Sequence, residues 1–506
     1  MHISLWHDKE RPWHISLMKK IRIVSLLFPP WGLILLWRSD QIALRRKILG
    51  AIGLGLYSGI YAGAVAALLM CFTGLELEWR GGFPPVLTWH KTHPDYNAVE
   101  ASRRVQPATP ATPQAPVAQV DWPGFRGPHR DGCYEEIPIA THWPSNGLRP
   151  LWKQPIGGGY SSFAIAGGRA FTIEQRRAQE AVTAYDVETG RELWASAYPA
   201  DFNEMMGGEG PRATPFFSEG KLYSLGAMGD LLCLEAASGK VIWKVNILSD
   251  NQASLMYYGM ASSPLVVQEK LIVQVGGPNG KSVVAYDKLT GKHIWSALDD
   301  GCAYASPMLV QLAGREQLLV VTDRRAVGLQ VSDGALLWAM PWIVKQRNRD
   351  NAQPVILGTN RFMLSAGYGT GSEAVEVSRT PNGFEAGPLW QNTLMKNKFT
   401  SSIFWQGYIY GLDEDRLVCL DAQTGERKWK DGLYGYGQVV EAGGCLIVLS
   451  GEGQLALVKA SPDHYQELAH FQAIEGKTWN HPAMAGGKVL VRNELQMACF
   501  DLRPSQ

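Results

Sequence analysis

The sequence predicts an all-β fold, an eight-bladed β-propeller, preceded by an N-terminal membrane helix region. The main observation is a turn-and-strand signature that recurs along the last two-thirds of the chain. It reads AYDVETGRELW at 184–194, CLEAASGKVIW at 233–243, AYDKLTGKHIW at 285–295, LQVSDGALLW at 329–338 and CLDAQTGERKW at 419–429, with a degenerate copy ending at Trp390. Successive terminal tryptophans, starting at Trp152, are 39 to 52 residues apart. This interval is typical of one four-stranded propeller blade.

Each repeat follows the same physical logic. Alternating apolar residues form a strand, and an Asp-x-x-Thr-Gly turn then reverses the chain. Asp186, Asp287 and Asp421 can accept hydrogen bonds from the turn backbone, and the glycine four residues later can adopt a positive φ. A four-stranded sheet cannot bury both faces alone, so we expect the tryptophans to pack one blade against the next.

The two ends of the repeat region complete each other. A seventh repeat runs from about Tyr436 without its tryptophan, and the eighth contains only HPAMAGG, KVLVRN and QMACFDL. The segment LRPLWKQPI near residue 150 reads as a fourth strand with no blade before it. We therefore expect the strand near Trp152 to close the last blade, which removes the exposed sheet edges of an open array.

The signature resembles the repeat of the quinoprotein (PQQ-like) propellers over roughly residues 122–502. That family contains PQQ-dependent alcohol dehydrogenases and also non-enzymatic members, such as the outer-membrane barrel-assembly lipoprotein. The segment DWPGFRGPHRDG at 121–132 resembles the opening of many envelope propellers of this family. The resemblance implies the fold and leaves the activity open.

The N-terminal region, residues 1–93, is predicted to anchor the chain in a membrane. Residues 48–73 are 26 uncharged positions, more than the roughly 20 needed to cross a bilayer. Residues 23–37 are shorter and contain Pro29 and Pro30. The sequence leaves open whether they form a kinked second span, a re-entrant segment or an interfacial helix.

Flanking charge predicts the orientation of the span. Arg45, Arg46 and Lys47 precede it, whereas Glu76 and Glu78 follow it. The positive-inside rule then gives an inner (cytoplasmic) membrane protein with its propeller facing the periplasm or the cell exterior. Residues 94–120 are rich in Pro, Ala and Thr, so they are expected to be an extended linker before the propeller at 121–506.

Two further observations concern partners. Gly55, Gly59 and Gly63 recur on one face of the span, which predicts either a helix-mediated homodimer or packing against residues 23–37 through this face. The 48 basic and 47 acidic residues are balanced. The sequence therefore gives no reason to expect a nucleic-acid partner, which would select an extended basic surface.

A ligand-binding site is predicted at the channel mouth, where the innermost strands begin. Its candidate residues are Arg212, Tyr258, Tyr304, Lys396, Lys398, Trp479, Asn480 and His481. Cations beside stacking rings suit a planar anionic ligand, such as PQQ or an acidic peptide. The alternative is that the small polar residues there satisfy the channel backbone and the larger side chains are solvated loop residues.

Two functions remain open at this stage. One is a non-catalytic binding or assembly scaffold for an envelope protein or a small anionic ligand. The other is a PQQ-dependent dehydrogenase, for which the resemblance implies PQQ with Ca²⁺, a vicinal cysteine pair, and a Glu, Asn and Asp set. The sequence has no Cys-Cys dipeptide, and Glu174, Glu209 and Asp300 match no such set. It therefore favours the scaffold, without a catalytic residue, a metal site or an assigned cofactor.

Overall fold

The computed structural model describes residues 24, 29–38, 43–82, 84–89, 93–106, 120–345 and 352–504. The chain forms two compact units. The first comprises Met1–Glu78 and Val86–His90, and the second comprises Trp79–Pro85 and Lys91–Gln506.

The first unit contains two helices and a short hairpin. Helix α1 spans Pro29–Arg38 and helix α2 spans Leu44–Thr73, and the hairpin pairs Glu76–Glu78 with Val86–Thr88. Among the described residues, α2 is the one helix long and apolar enough to cross a membrane, and none of its residues is buried. It is therefore a candidate membrane span.

Helix α1 covers most of residues 23–37, which were expected to form a kinked second span, a re-entrant segment or an interfacial helix. Pro29 and Pro30 stand at its beginning, where proline costs no internal hydrogen bond. The 10 residues of the helix rise about 15 Å, roughly half the thickness of a bilayer core. Residues 25–28 lie outside the described residues.

The second unit is an eight-bladed β-propeller, which confirms the predicted fold. Each blade is an antiparallel sheet of four core strands. Blade 1 consists of Ala164–Ala166, Arg169–Arg176, Gln179–Asp186 and Glu192–Pro199; blade 2 of Phe216–Ser218, Lys221–Leu225, Asp230–Glu235 and Val241–Asn246. Blade 3 consists of Leu265–Val267, Lys270–Gly277, Lys281–Asp287 and His293–Ala297; blade 4 of Met308–Leu312, Arg315–Val321, Arg325–Leu329 and Leu336–Pro341.

The remaining four blades complete the ring. Blade 5 consists of Val355–Ile356, Arg361–Ala366, Gly371–Thr380 and Gly383–Asn392; blade 6 of Ile403–Trp405, Tyr408–Asp413, Arg416–Asp421 and Arg427–Leu433. Blade 7 consists of Gln438–Ala442, Cys445–Leu449, Gln454–Lys459 and Glu467–Gln472; blade 8 of Ala483–Ala485, Lys488–Arg492, Gln496–Asp501 and Pro150–Pro155. Trp152 pairs with Cys499, so the predicted closure of the last blade is confirmed.

Two shorter strands pair with the innermost strands of their blades, and two further short elements lie in the connections between blades. Val120–Trp122 adds a strand to blade 1, and Cys133–Tyr134 adds a parallel strand to blade 7. Asn203–Glu204 and Gly208–Glu209 form a small hairpin, and Ile247–Asn251 is a short helix of about one turn.

The signature tryptophans connect neighbouring blades, as expected. Six of them donate a hydrogen bond from indole Nε1 to a backbone carbonyl in the turn of the next blade, at 2.8–3.3 Å. The pairs are Trp152 with Val187, Trp194 with Ala236, Trp243 with Lys288, Trp295 with Val331, Trp390 with Ala422 and Trp429 with Ser461. Each tryptophan therefore fixes the position of a turn in the neighbouring blade.

Trp338 is an exception that follows from the degenerate repeat. Blade 5, which comes next, has two ten-residue strands, Gly371–Thr380 and Gly383–Asn392, in place of the usual turn. The indole of Trp338 donates instead to Gln317 Oε1 in its own blade, at 2.6 Å. The lost turn is thus replaced by an internal polar contact.

The expected extended linker is wrong over Tyr96–Arg104, which forms helix α3 of the propeller unit. Asp95 caps this helix by accepting a hydrogen bond from Ala98 N at 3.1 Å. Val99 is 2% exposed, so the helix buries this apolar side chain against the propeller. Residues 107–119 of the expected linker lie outside the described residues.

Candidate ligand-binding site at the channel mouth

A belt of hydrogen bonds surrounds the channel where the innermost strands begin. In five successive steps, a backbone N–H of one blade donates to a side-chain oxygen of the next, at 2.9–3.1 Å. The steps run from Ser162 to Thr214, Ser263, Ser306, Gln353 and Ser401. Gln438 then donates to the carbonyls of Phe399 and Trp479, and Ser162 Oγ donates to the carbonyl of His481. The small polar residues therefore satisfy the channel backbone and hold all eight blades together.

Residues 123–132, here called the plug, lie across the channel. At one end Pro123 O accepts from Phe217 N of blade 2, at 2.7 Å. At the other end Gly132 O accepts from Glu441 N of blade 7, at 2.9 Å. Blades 2 and 7 are three positions apart in the ring of eight, so the plug passes across the channel between them.

Two buried arginines hold the plug. Arg130 donates to the carbonyls of Ser263 and Pro307 at 3.1 and 2.8 Å, and Arg126 donates to those of Ser401 and Ser402 at 3.2 and 2.7 Å. No carboxylate among the described residues pairs with either guanidinium. Burial lowers the pKa of Arg130 to about 9 and that of Arg126 to about 10. Backbone dipoles from several blades thus replace counter-ions.

His481 belongs to the same arrangement. Its Nε2 lies 2.8 Å from Arg126 Nη1, and its Nδ1 lies 3.0 Å from Pro482 O. Burial, together with the Arg126 charge, lowers the pKa of His481 well below its ordinary value. The neutral ring accepts from Arg126 at Nε2 and donates to Pro482 at Nδ1. His481 therefore adds no positive charge to the site.

A cavity of about 200 Å³ opens at the channel mouth beside the plug. Seven aromatic side chains line it: Trp79, Phe125, Tyr160, Tyr258, Tyr304, Phe399 and Trp479. The rings of Phe399 and Trp479 are stacked at 4.7 Å, and that of Tyr160 lies 5.4 Å from Trp479. Across the cavity, Tyr258 and Tyr304 are 5.8 Å apart. The walls thus present ring faces and edges to an occupant.

One ion pair lies in the cavity wall. Arg212 Nη2 is 3.4 Å from Glu204 Oε1 and also donates to Gly208 O at 2.7 Å. Its guanidinium lies over the rings of Phe202 and Tyr160, at 4.7 and 5.3 Å. The positive charge of Arg212 is therefore balanced and oriented before any ligand arrives.

Five of the eight predicted residues line this cavity: Arg212, Tyr258, Tyr304, Trp479 and His481. Asn480 lies behind the wall, where its Nδ2 donates to the carbonyls of Gly159 and Ser161 at 3.1 and 3.0 Å. It joins blade 8 to blade 1, so its predicted ligand contact is replaced by a structural one.

The two predicted lysines differ. Lys396 pairs with Asp413 at 2.6 Å, away from the cavity, so its expected convergence on the site is wrong. Lys398 is buried and donates from Nζ to the carbonyl of Gly81. The predicted cluster of four cations therefore does not form, because Lys396 is diverted, His481 is neutral and Arg212 is paired.

Sequence reasoning missed several cavity residues. Trp79 was expected within the membrane-anchoring region, and nothing in its local pattern connects it to a propeller. Tyr160 and Phe399 occupy strand-start segments equivalent to those of Tyr258 and Trp479, so the repeat alignment could have identified them. Glu204 lies in the short hairpin that is unique to one blade connection.

Acidic residues elsewhere are committed to structure. Glu174 accepts from Arg176 at 2.5 Å and from Tyr185 at 2.6 Å, and Asp300 pairs with Arg325 at 2.6 Å. Burial raises the pKa of Glu209. Within the described ranges, no group of three or more His, Cys, Asp or Glu could hold a metal ion.

The eight blades, with their tryptophan-to-turn contacts, define a PQQ-like repeat propeller. The family profile described as "Outer membrane protein assembly factor BamB" matches residues 178–431. This match covers half of the chain, and the protein belongs to that family. A comparison with curated proteins gives no match.

Two solved structures with TM-scores above 0.5 show the same fold. BamB from Moraxella catarrhalis is 14% identical, with a TM-score of 0.51, over 70% of this chain and 99% of that chain. Sqt1 from Saccharomyces cerevisiae is 11% identical, with a TM-score of 0.51, over 71% of this chain and 100% of that chain. Quinohemoprotein alcohol dehydrogenase from Comamonas testosteroni is 14% identical, with a TM-score of 0.45, over 81% and 85% of the two chains.

Proposed function

We propose that this protein is a membrane-anchored binding or assembly scaffold whose partner docks at the channel mouth. Helix α2 is the anchor in the inner membrane, and the propeller faces the periplasm or the cell exterior. The cationic residues before α2, including Arg45, Arg46 and Lys47, support this orientation. Membership of the BamB-type family supports a scaffold role in the envelope.

Localisation is tested with two fusions. A fluorescent reporter that matures only in the cytoplasm is expected to be dark when it is fused after residue 120. The same reporter fused after residue 42, ahead of the span, is the bright control. Bright cells from both fusions would overturn the proposed orientation.

The observation that carries the scaffold proposal is the aromatic cavity beside the plug. The plug lies across the channel, which favours a binding site at the mouth over a passage through the ring. Concave sites lined by aromatic rings with few polar groups bind apolar or planar groups. Here a polar group is supplied by the Arg212–Glu204 pair, whose atoms are 3.4 Å apart. The pair is neutral as a whole, so it can hydrogen-bond an occupant that carries no net charge.

The rim of the cavity favours a protein partner. Tyr258 Oη lies 3.7 Å from Met206 Sδ, and the ring of Tyr257 lies 4.8 Å from that of Tyr258. Met205 and Tyr257, at the outer side of this contact, are 90% and 61% exposed. Methionine and tyrosine are enriched at protein interfaces. An extended protein segment could therefore enter the cavity while its flanks contact the rim.

The alternative, a PQQ-dependent dehydrogenase, has less support. PQQ is a tricarboxylate, and the dehydrogenases hold it with Ca²⁺. In this cavity Arg212 is paired with Glu204 and His481 is neutral, and next to it Lys398 is bonded to Gly81. The described acidic residues form no cation site. These residues do not fit the cofactor, so we assign no catalytic residue and no redox step.

Site-specific photo-crosslinking tests the docking site. A photoreactive residue at Met205 is expected to crosslink a partner in intact cells, and the product should disappear when Tyr304→Ala is added. Leu336, on an outer strand of blade 4 and 48% exposed, is the control position. Equal crosslinking at Leu336 would contradict docking at the mouth. Bound PQQ with dye-linked alcohol oxidation, after addition of PQQ and Ca²⁺ to the purified chain, would favour the alternative.

A further inference from the structure

The chain places its own residues 79–82, here called the strap, in the channel mouth. Trp79 lines the cavity and makes edge contacts with two other rings. Its centroid lies 5.6 Å from that of Trp479 at 90°, and 6.0 Å from that of Phe399 at 74°. The indole therefore covers ring surface that an incoming ligand would otherwise reach.

The backbone of the strap is recognised as well. Lys398 Nζ donates to Gly81 O, and it lies 4.3–5.6 Å from the ring centroids of Trp79, Tyr368, Phe399 and Tyr436. An ammonium among ring faces is favourable when it is desolvated. The strap carbonyl and the Trp79 ring thus complete the environment of one buried lysine.

Gly81 makes this recognition sequence-specific. Its φ is +84°, and a β-carbon there would lie 2.7 Å from Tyr436 Cδ2. Any larger residue would be strained and would collide with the ring. Arg80, between the two recognised positions, pairs at 2.8 Å with Glu452, whose side chain is 69% exposed. Trp79 and Gly81, by contrast, contact the aromatic rings and Lys398 directly, and these two positions define the recognised pattern.

We propose that the channel mouth is a receptor for an extended segment in which a tryptophan is followed two residues later by glycine, and that the strap is its resident, displaceable occupant. A partner segment with the same two features competes for the same rings and for Lys398. The strap is favoured by its covalent connection, which gives it a high effective concentration. This inference rests on the proposed docking function and names the chemistry of the partner.

The test uses the full-length protein in detergent and a labelled peptide of residues 77–84, LEWRGGFP. Fluorescence anisotropy is expected to show weak binding to the wild-type chain and at least about tenfold tighter binding to Trp79→Ala, because an emptied site no longer competes with the probe. A peptide with alanine at the position of Trp79 should not bind. Neither should a peptide with alanine at the position of Gly81.

A second measurement reports the strap directly. Tryptic cleavage after Arg80 should accelerate in Trp79→Ala, while cleavage after Arg104, whose side chain is 81% exposed, should not change. A folded Trp79→Ala variant that binds the peptide no better than wild type would overturn the inference. So would equal binding of the alanine peptides. If Met205 still crosslinks a partner in either case, the scaffold proposal survives and only the peptide chemistry fails.

Discussion

The indole of Trp243 in blade 2 packs against the α-carbon of Gly291 in blade 3. Its Nε1 donates to Lys288 O at 3.1 Å. A β-carbon on Gly291 would lie 2.8 Å from Trp243 Cδ2, and φ at Gly291 is +70°. Two features therefore require glycine at this position: the turn needs a positive φ, and the tryptophan of the preceding blade leaves no room for a β-carbon.

Replacing Gly291 with alanine should separate these two requirements. The positive φ costs about 1–2 kcal/mol, and the clash with Trp243 adds about 1–3 kcal/mol. Gly220 is the matched control, since its φ is +74° and a β-carbon at that position would have no neighbouring atom within 4 Å. Urea denaturation should show a larger loss of unfolding free energy for Gly291→Ala than for Gly220→Ala. Equal losses would mean that the tryptophan contact adds nothing.

Much of the fold was predictable because the residues of the repeat act locally: they form strands and turns with their neighbours in the sequence. The period, the Asp-x-x-Thr-Gly turns and the missing fourth strand near Trp152 all gave correct expectations. The helix at Tyr96–Arg104 was not predictable, because its stability depends on contacts far away in the sequence. Composition alone could not show that Arg103 would pair with the half-buried carboxylate of Glu192.

Arg103→Ala should weaken the seam at which the ring closes. Arg103 donates to Glu192 of blade 1 at 3.0 Å and to Pro155 O of the closing strand at 3.2 Å. Its removal leaves the half-buried Glu192 with fewer partners, at an expected cost of about 2–4 kcal/mol. Arg104→Ala, one position along the helix, should change stability by less than about 0.5 kcal/mol. Thermal unfolding of both variants checks the difference, and matching transitions would contradict it.

Glu441 should make stability depend on pH. Its side chain is buried, and burial raises its pKa to about 7, from an ordinary value near 4.5. Between these values the folded protein holds a proton that the unfolded chain has released, so stability falls as pH rises from about 4.5 to 7. Glu441→Gln should remove this fall and gain about 3 kcal/mol at pH 8.

Chemical denaturation at pH 5 and pH 8 checks the Glu441 prediction. Gly444 N donates to Glu441 Oε1 at 2.7 Å, and the glutamine oxygen can keep that bond. Glu316→Gln, at an exposed position, is the control and should retain the wild-type pH dependence. A wild-type profile in Glu441→Gln would show that another group is responsible.

Self-association through α2 remains a prediction. Gly55, Gly59 and Gly63 share one face, and a β-carbon on any of them would have no neighbouring atom within 4 Å, so a second helix has room to approach closely. Gly59→Leu should reduce crosslinked dimers in membranes. Gly53→Leu, about 120° away around the helix, should leave them unchanged. Equal dimer levels in both variants would make the glycine pattern incidental.

The candidate site was only partly predictable for a related reason. Tyr258, Tyr304 and Trp479 were identified because strand starts in a propeller share one rim. A strand-start position does not determine where its side chain points. Lys396 forms an ion pair with Asp413, and Asn480 donates hydrogen bonds to two carbonyls of blade 1. Trp79 reaches the site from outside the repeats, so no periodic signal could include it.

Closure of blade 8 must wait until most of the chain has been synthesised. The strand Pro150–Pro155 can pair only after Gln496–Asp501 has been made. At about 5–20 residues per second, the intervening chain takes roughly 20 to 70 s to synthesise. During that time the early strand has an unpaired edge, and the buried arginines of the plug lack the carbonyls of the later blades. A nascent chain of this protein therefore exposes that strand edge and these arginines until Gln496–Asp501 has left the ribosome.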